Sequence, residues 1–149
     1  MLILDAGAMN AMREHSESGY PAEVCGLLVG RAEGGAGSRQ VVEARSTANL
    51  NRERPEDRYE MSSRDFLAVE RDARARSLEV VGVYHSHPDH PSIPSETDRQ
   101  RAEEIWQAVE SWSYLILEIA AGRLRSHRSW VLKGGVFAEE EIRMPAPTP

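Results

Sequence analysis

Leu78-Glu79-Val80-Val81-Gly82-Val83-Tyr84-His85-Ser86-His87 is the strongest strand in the 149-residue sequence, rich in β-branched and aromatic residues and stopped by Pro88. Beyond it, Pro88–Pro94 carries three prolines and can be neither helix nor central strand. A second helix is expected from Glu96 to Glu110, where Ala102, Ile105, Trp106 and Val109 recur at i, i+3, i+4 and i+7. Tyr114–Ala120 and Leu124–Val131 read as strands about a turn at Gly122, and Val136–Ile142 as a last strand after Gly134-Gly135. Upstream, Ser62–Arg76 reads as a helix with Phe66, Val69 and Ala73 on one face.

Before that helix, Tyr59-Glu60-Met61 reads as a short strand and Asn49–Arg58 as a polar loop broken by Pro55. Arg39–Ala48 is the return strand of a hairpin whose first strand is Ala22–Gly30 and whose loop is Glu33–Ser38. Met1–Leu4 reads as a strand. Asp5 caps a helix running to about Ser18, with Ala8, Met9 and Met12 on one face, ended by Gly19 and Pro21. The sum is an α/β (α+β) fold, a mixed, largely antiparallel sheet flanked by helices. One domain is expected over residues 1–144, with Pro145–Pro149 a frayed tail.

Hydrophobic residues make up 40% and charged residues 28%, values of a folded globular protein. No apolar run reaches the ~20 residues that span a bilayer, and the first residues lack a basic n-region. The single cysteine, Cys25, excludes a disulfide framework and a multi-thiolate zinc site. A cytoplasmic protein without membrane attachment is expected. The net charge of −6, with arginines spread rather than blocked, argues against nucleic acid as a partner.

The histidines are clustered: His85, His87 and His90 lie within six residues. In a strand, residues i and i+2 face the same way, so His85 and His87 can reach one metal ion. Alone, such a pair reads more often as two surface histidines. Ser95-Glu96-Thr97-Asp98 has the form of a capping box before a helix, and alone it reads as a cap. Ser62-Ser63-Arg64-Asp65 has the same form with no histidine near it. Taken together, the pieces suggest more. A catalytic zinc site needs a third ligand, and the loop after His87 is long enough to bring Asp98 back to the strand end. Glu23, expected on the strand face of Cys25, Leu27 and Val29, either sits at that strand's open end or serves as a general base.

Glu23 in its context Pro21–Gly30, then His85-Ser86-His87-Pro88, six residues, Ser95, two residues and Asp98 fill every position of the signature E…H-[ST]-H-P-x6-S-x2-D. The chain resembles the JAMM/MPN+ family of zinc metalloproteases, in its compact prokaryotic form, over nearly its whole length. The resemblance implies an MPN fold of the cytidine-deaminase-like kind and one catalytic zinc ion. It implies His85, His87 and Asp98 as metal ligands, Glu23 as general base and Ser95 as hydrogen-bond donor to the oxyanion. It further implies a peptidase or isopeptidase acting after the C-terminal Gly-Gly of a ubiquitin-like or sulfur-carrier β-grasp partner, on a peptide, isopeptide or cysteine adduct. The alternative is a non-catalytic module that binds such a partner. His90 is expected at the rim, Cys25 as a small buried residue near the metal, and Asn49 and Tyr59 along the cleft.

Overall fold

The computed structural model describes residues 1–33, 37–104 and 111–145. In chain order its elements are β1 (Leu2–Leu4), α1 (Ala6–Gly19), β2 (Cys25–Glu33), β3 (Ser38–Thr47), α2 (Ser63–Ala75), β4 (Glu79–Pro88), α3 (Glu96–Glu104), β5 (Ser113–Ala120), β6 (Arg123–Lys133), β7 (Val136–Glu140) and β8 (Ile142–Arg143). The strands form one eight-stranded sheet in the order β7-β6-β5-β4-β2-β3-β1-β8. Pairing is antiparallel at β2/β3, β2/β4, β5/β6 and β6/β7, and parallel at β4/β5, β1/β3 and β1/β8. The expected mixed, largely antiparallel sheet is therefore present. The parallel β4/β5 pair needs a crossover, and the connection carrying α3 supplies it.

The expected last strand is two strands. β7 and β8 stand at opposite ends of the sheet order although only Glu141 separates them. Glu141 O accepts a hydrogen bond from Leu2 N at 2.8 Å, so the sheet curls until its two edges meet. The expected Tyr59–Met61 strand is reduced to a single bridge, Asn49 to Met61. There the Asn49 side chain takes the Glu60 N–H that a ladder would have used.

Two layers of helix cover the sheet. Asp5 caps α1 by accepting from Gly7 N and Ala8 N, and Ala8, Met9 and Met12 pack with Leu28, Tyr84, Leu115 and Leu117. On the other face, Val69 and Ala73 of α2 pack with Leu27 and Val29, while Ala102 of α3 packs with Val83, Tyr114 and Leu132. Adjacent residues thus face opposite ways, Leu27 to α2 and Leu28 to α1, as a pleat requires. His85 and His87 follow Val83 at even spacing and so share the face of α2 and α3. Ile105, Trp106 and Val109, expected on α3, lie outside the described residues, as do residues 146–149 of the expected tail. No described helix is long and apolar enough to cross a membrane.

β4 approaches β5 closely at Gly82, where a Cβ would overlap the backbone of Ser113. Alanine at Gly82 must push the two strands apart. The expected cost is that of overpacking, ~1–3 kcal/mol, read as a fall of several degrees in melting temperature. An unchanged melting temperature would show that the strands separate freely.

Candidate metal centre and active site

His85 and His87 stand at the carboxyl end of β4, where an α/β sheet opens its crevice beside a parallel crossover. Both are buried, at 5% and 8% exposure. The intervening Ser86 points the other way. Its hydroxyl accepts from Val24 N at 2.9 Å, and its own N–H donates to Val24 O at 3.0 Å. These bonds tie the end of β4 to the segment that carries Glu23.

Glu23 is not in β2, which begins at Cys25. The expected shared face with Cys25, Leu27 and Val29 is corrected accordingly. At Glu23 the ladder is replaced by loop bonds: its N–H donates to Pro55 O at 2.6 Å, and its carbonyl accepts from Asn49 Nδ2 at 3.0 Å. Asn49 spends its whole carboxamide here, donating also to Arg58 O and accepting from Asn51 N and Glu60 N. It clasps the loop rather than merely bordering the cleft. Glu23 is 5% exposed. Burial pushes its pKa up from 4.5 to about 8, against the pull of His87.

Asp98 arrives from the first turn of α3. Ser95 N donates to Asp98 Oδ2 at 2.8 Å, and Asp98 N donates to Ser95 Oγ at 3.1 Å, a reciprocal capping box. The same carboxylate reaches both imidazoles: Oδ1 lies 3.2 Å from His85 Nε2 and Oδ2 3.0 Å from His87 Nε2. The sister box differs. Ser62 caps α2 through Asp65 N, but Asp65 turns its carboxylate to Ala48 N. Two boxes of one form therefore do different things, and the partner of the acid separates them.

The electrostatics follow from this crowding. Burial works to raise the Asp98 carboxyl, but the charges and hydrogen bonds of His85 and His87 hold it well below the usual range. Burial pulls the His85 imidazole down, against the attraction of Asp98. For His87, burial also pulls down, but the bond and charge of Asp98 carry it upward on balance. His87 Nδ1 lies 2.7 Å from Pro91 O. A carbonyl only accepts, so Nδ1 carries a proton; here Nε2 faces Asp98 Oδ2 at 3.0 Å and donates to it, and with Nδ1 committed to Pro91, Nε2 is the atom left for a metal to take in place of that proton.

The residues fit a divalent transition metal. One ligand atom from each of Glu23, His85, His87 and Asp98 lies within 4.8 Å of the others. The two Nε2 atoms are 3.1 Å apart. Ligand atoms ~2.0–2.1 Å from a tetrahedral zinc stand ~3.3–3.4 Å from one another, close to the spacings already present. Two imidazole nitrogens facing each other across a carboxylate are a donor set that a cation satisfies.

A cleft of about 480 Å³ opens over this cluster, lined by Glu23, His87, Ser95 and Asp98 with Arg58 and His90. Ser95 is exposed there, and His90 takes the rim position expected of it. Cys25 is fully buried beside Thr47 Oγ1 at 3.3 Å, and burial pushes its thiol up to about 11. It is a packed thiol, not a nucleophile. Tyr59 does not line the cleft. It is buried behind His85, a placement that no local pattern in the sequence signals.

The curled sheet, the β4 histidines and the capping-box aspartate define a JAB-type metal-site domain, and the chain belongs to the prokaryotic homologs of the JAB domain, whose family model matches residues 5–133. Its relatives include a desampylase of Haloferax volcanii, 32% identical over 147 residues, covering 95% of this chain and 94% of that one. A CysO-cysteine peptidase of Mycobacterium tuberculosis is 26% identical over 97% of this chain and 91% of its own. A Desulfitobacterium hafniense protein solved in solution superposes with a TM-score of 0.83 at 30% identity, over 99% of this chain and 94% of that one.

Proposed function

We propose that the protein is a zinc-dependent peptidase or isopeptidase that cleaves the bond following the C-terminal Gly-Gly of a ubiquitin-like or sulfur-carrier β-grasp protein. The observation that carries this reading is the convergence of His85, His87 and Asp98 beside a buried Glu23, in a chain of this family. The names of its relatives, a desampylase and a CysO-cysteine peptidase, support the class of substrate.

His85, His87 and Asp98 would hold the ion, which supplies Lewis acidity for the scissile carbonyl and for water. Glu23 takes a proton from the attacking water and returns it to the leaving amine. Burial raises its proton affinity in the metal-free chain, and a bound dication would bring the carboxylate back toward the ionised form that accepts a proton. Ser95 is the oxyanion donor. Its oxygen already accepts from Asp98 N, so the hydroxyl proton remains free to donate into the cleft.

The test is incubation with carrier fusions bearing residues, a lysine isopeptide or a single cysteine after Gly-Gly, with and without chelator, read by mass. Chelator-sensitive cleavage at Gly-Gly is expected. A partner bound and never cut would leave the binding module instead.

Ser95→Ala separates capping from catalysis. The variant is expected to keep its metal, lose ~1 kcal/mol of stability with the cap and fall ~10²–10³-fold in turnover. Turnover equal to wild type in the folded variant would make Ser95 a cap alone.

A further inference from the structure

One group of residues around the donor set is not used by this chemistry. The Tyr59 ring stacks on the His85 ring at 4.9 Å between centroids and 29° between planes. Over the Tyr59 ring, the Arg101 guanidinium carbon sits 4.3 Å from the centroid. Both rings of the stack are buried, Tyr59 at 4% and His85 at 5% exposure. Among the described residues Arg101 has no ion pair, and its Nε is buried without a hydrogen-bond partner. The guanidinium lies over the Tyr59 face, and its charge also acts on Glu23, Cys25 and His85.

The elements that supply these groups explain the consequence. Arg101 lies three residues after Asp98, so α3 presents both on one side. Asp98 meets the nitrogen edge of His85, with Oδ1 3.2 Å from Nε2, while Arg101 meets the ring that lies on the face of His85. The other neighbour of His85 is the His87 ring, at 4.9 Å and 55°. One imidazole is thus held from two directions by the same helix, directly through a carboxylate and indirectly through an aromatic plate. Tyr59 itself is fixed by the loop that Asn49 clasps to Glu23.

We infer that Tyr59, backed by Arg101, is a positioning residue that sets the orientation of the His85 ring and so the metal affinity of the site. This rests on the reading of the donor set as a metal site. The plate acts through His85 and touches no reacting atom. Losing a group that orients a metal-binding histidine typically costs ~10–100-fold in affinity.

The experiment measures zinc affinity of the full chain by competition with a chromophoric chelator, for wild type, Tyr59→Phe, Tyr59→Leu and Arg101→Met. The visible spectrum of each cobalt(II)-loaded protein and the melting temperature of each metal-free protein are recorded alongside. Tyr59→Phe keeps the plate and is expected to bind zinc as wild type does. Tyr59→Leu should bind ~10–100-fold more weakly, with altered cobalt bands that report a changed ligand field. Arg101→Met should shift the cobalt bands in the same sense as Tyr59→Leu and to a smaller degree, because the plate loses the cation over its face. It carries the test if Tyr59→Leu does not fold. A merely structural plate would lower melting temperatures and leave zinc affinity and cobalt bands unchanged, which overturns the inference. Wild type without zinc affinity overturns the metal reading and this inference together. Wild-type binding with unaffected variants overturns this inference alone.

Discussion

Asp98→Ala is expected to reduce the zinc content from about one ion per chain to nearly none, and cleavage to the level seen with chelator. The argument is one of position. Asp98 is the carboxylate that reaches both imidazoles, 3.2 Å from His85 Nε2 and 3.0 Å from His87 Nε2. Two histidines alone leave a tetrahedral ion with two of the three protein ligands that a catalytic site takes. The same substitution also removes the acceptor for Ser95 N and so opens the capping box. Asp98→Asn separates the two losses, because its carbonyl oxygen can still accept from Ser95 N while the anionic ligand is gone. The expected order is therefore zinc lost in both variants, with stability closer to wild type in Asp98→Asn. Metal analysis by mass spectrometry and thermal melting of the same preparations check it. Full zinc occupancy in Asp98→Ala would take Asp98 out of the ligand set.

The chelated protein should show the matching pH response. Asp98 is held well below the ordinary carboxylate range by its imidazole neighbours. A depressed folded pKa contributes stability that is present above the unfolded value of ~3.9 and lost as pH falls through the folded one. At neutral pH, metal-free wild type therefore benefits from a contact that metal-free Asp98→Asn lacks.

Much of this was legible in the sequence because chemistry and local structure coincide there. His85-Ser86-His87 is read by the two-residue period of a strand, and β4 delivers both rings to one face. Ser95 and Asp98 are read by helix-cap chemistry, and the box forms as written. What the sequence could not distinguish was one capping box from the other. That difference lies in which groups surround the acid, imidazoles for Asp98 and Ala48 N for Asp65. Glu23 lies beside the two histidines and Asp98 but outside β2, whereas the apolar run extending back past Cys25 reads as strand. Side-chain bonds from Ser86 and Asn49 take over where ladder bonds would have continued. The break at Glu141 has a similar origin. Residues 136–142 look like one strand, but the curled sheet sends their two halves to opposite edges. Tyr59 and Arg101 were not legible as partners of His85 at all. Their meeting depends on how a loop and a helix dock, and neither residue type carries a local signal for it.

Glu23→Gln is expected to keep fold and zinc while losing ~10²–10⁴-fold in turnover, toward the upper end because one group serves both proton transfers. Glutamine is nearly isosteric, and Glu23 is anchored through its backbone, by Pro55 O and Asn49 Nδ2, so its placement survives the change. The variant cannot accept and return a proton, yet the cleft over Ser95 and Asp98 is untouched. It should therefore hold a Gly-Gly-terminated carrier without cutting it, as measured by titration and mass on one preparation. Stability gives an independent readout. Burial lifts the Glu23 pKa to about 8 from an ordinary 4.5, so folding favours its protonated form. Such a group stabilises fully below its unfolded pKa, and that stability is lost as pH rises through the folded pKa. Metal-free Glu23→Gln never ionises, so it should melt above metal-free wild type by a margin that opens above pH 4.5 and levels off beyond pH 8. Zinc loading should narrow the margin, since a nearby dication favours the ionised carboxylate. Wild-type cleavage by the zinc-loaded variant would remove Glu23 from the mechanism, and loss of zinc would make it a ligand. A variant that is slower yet melts like wild type at every pH would mean that the carboxylate is not held in the dry pocket from which its raised proton affinity arises.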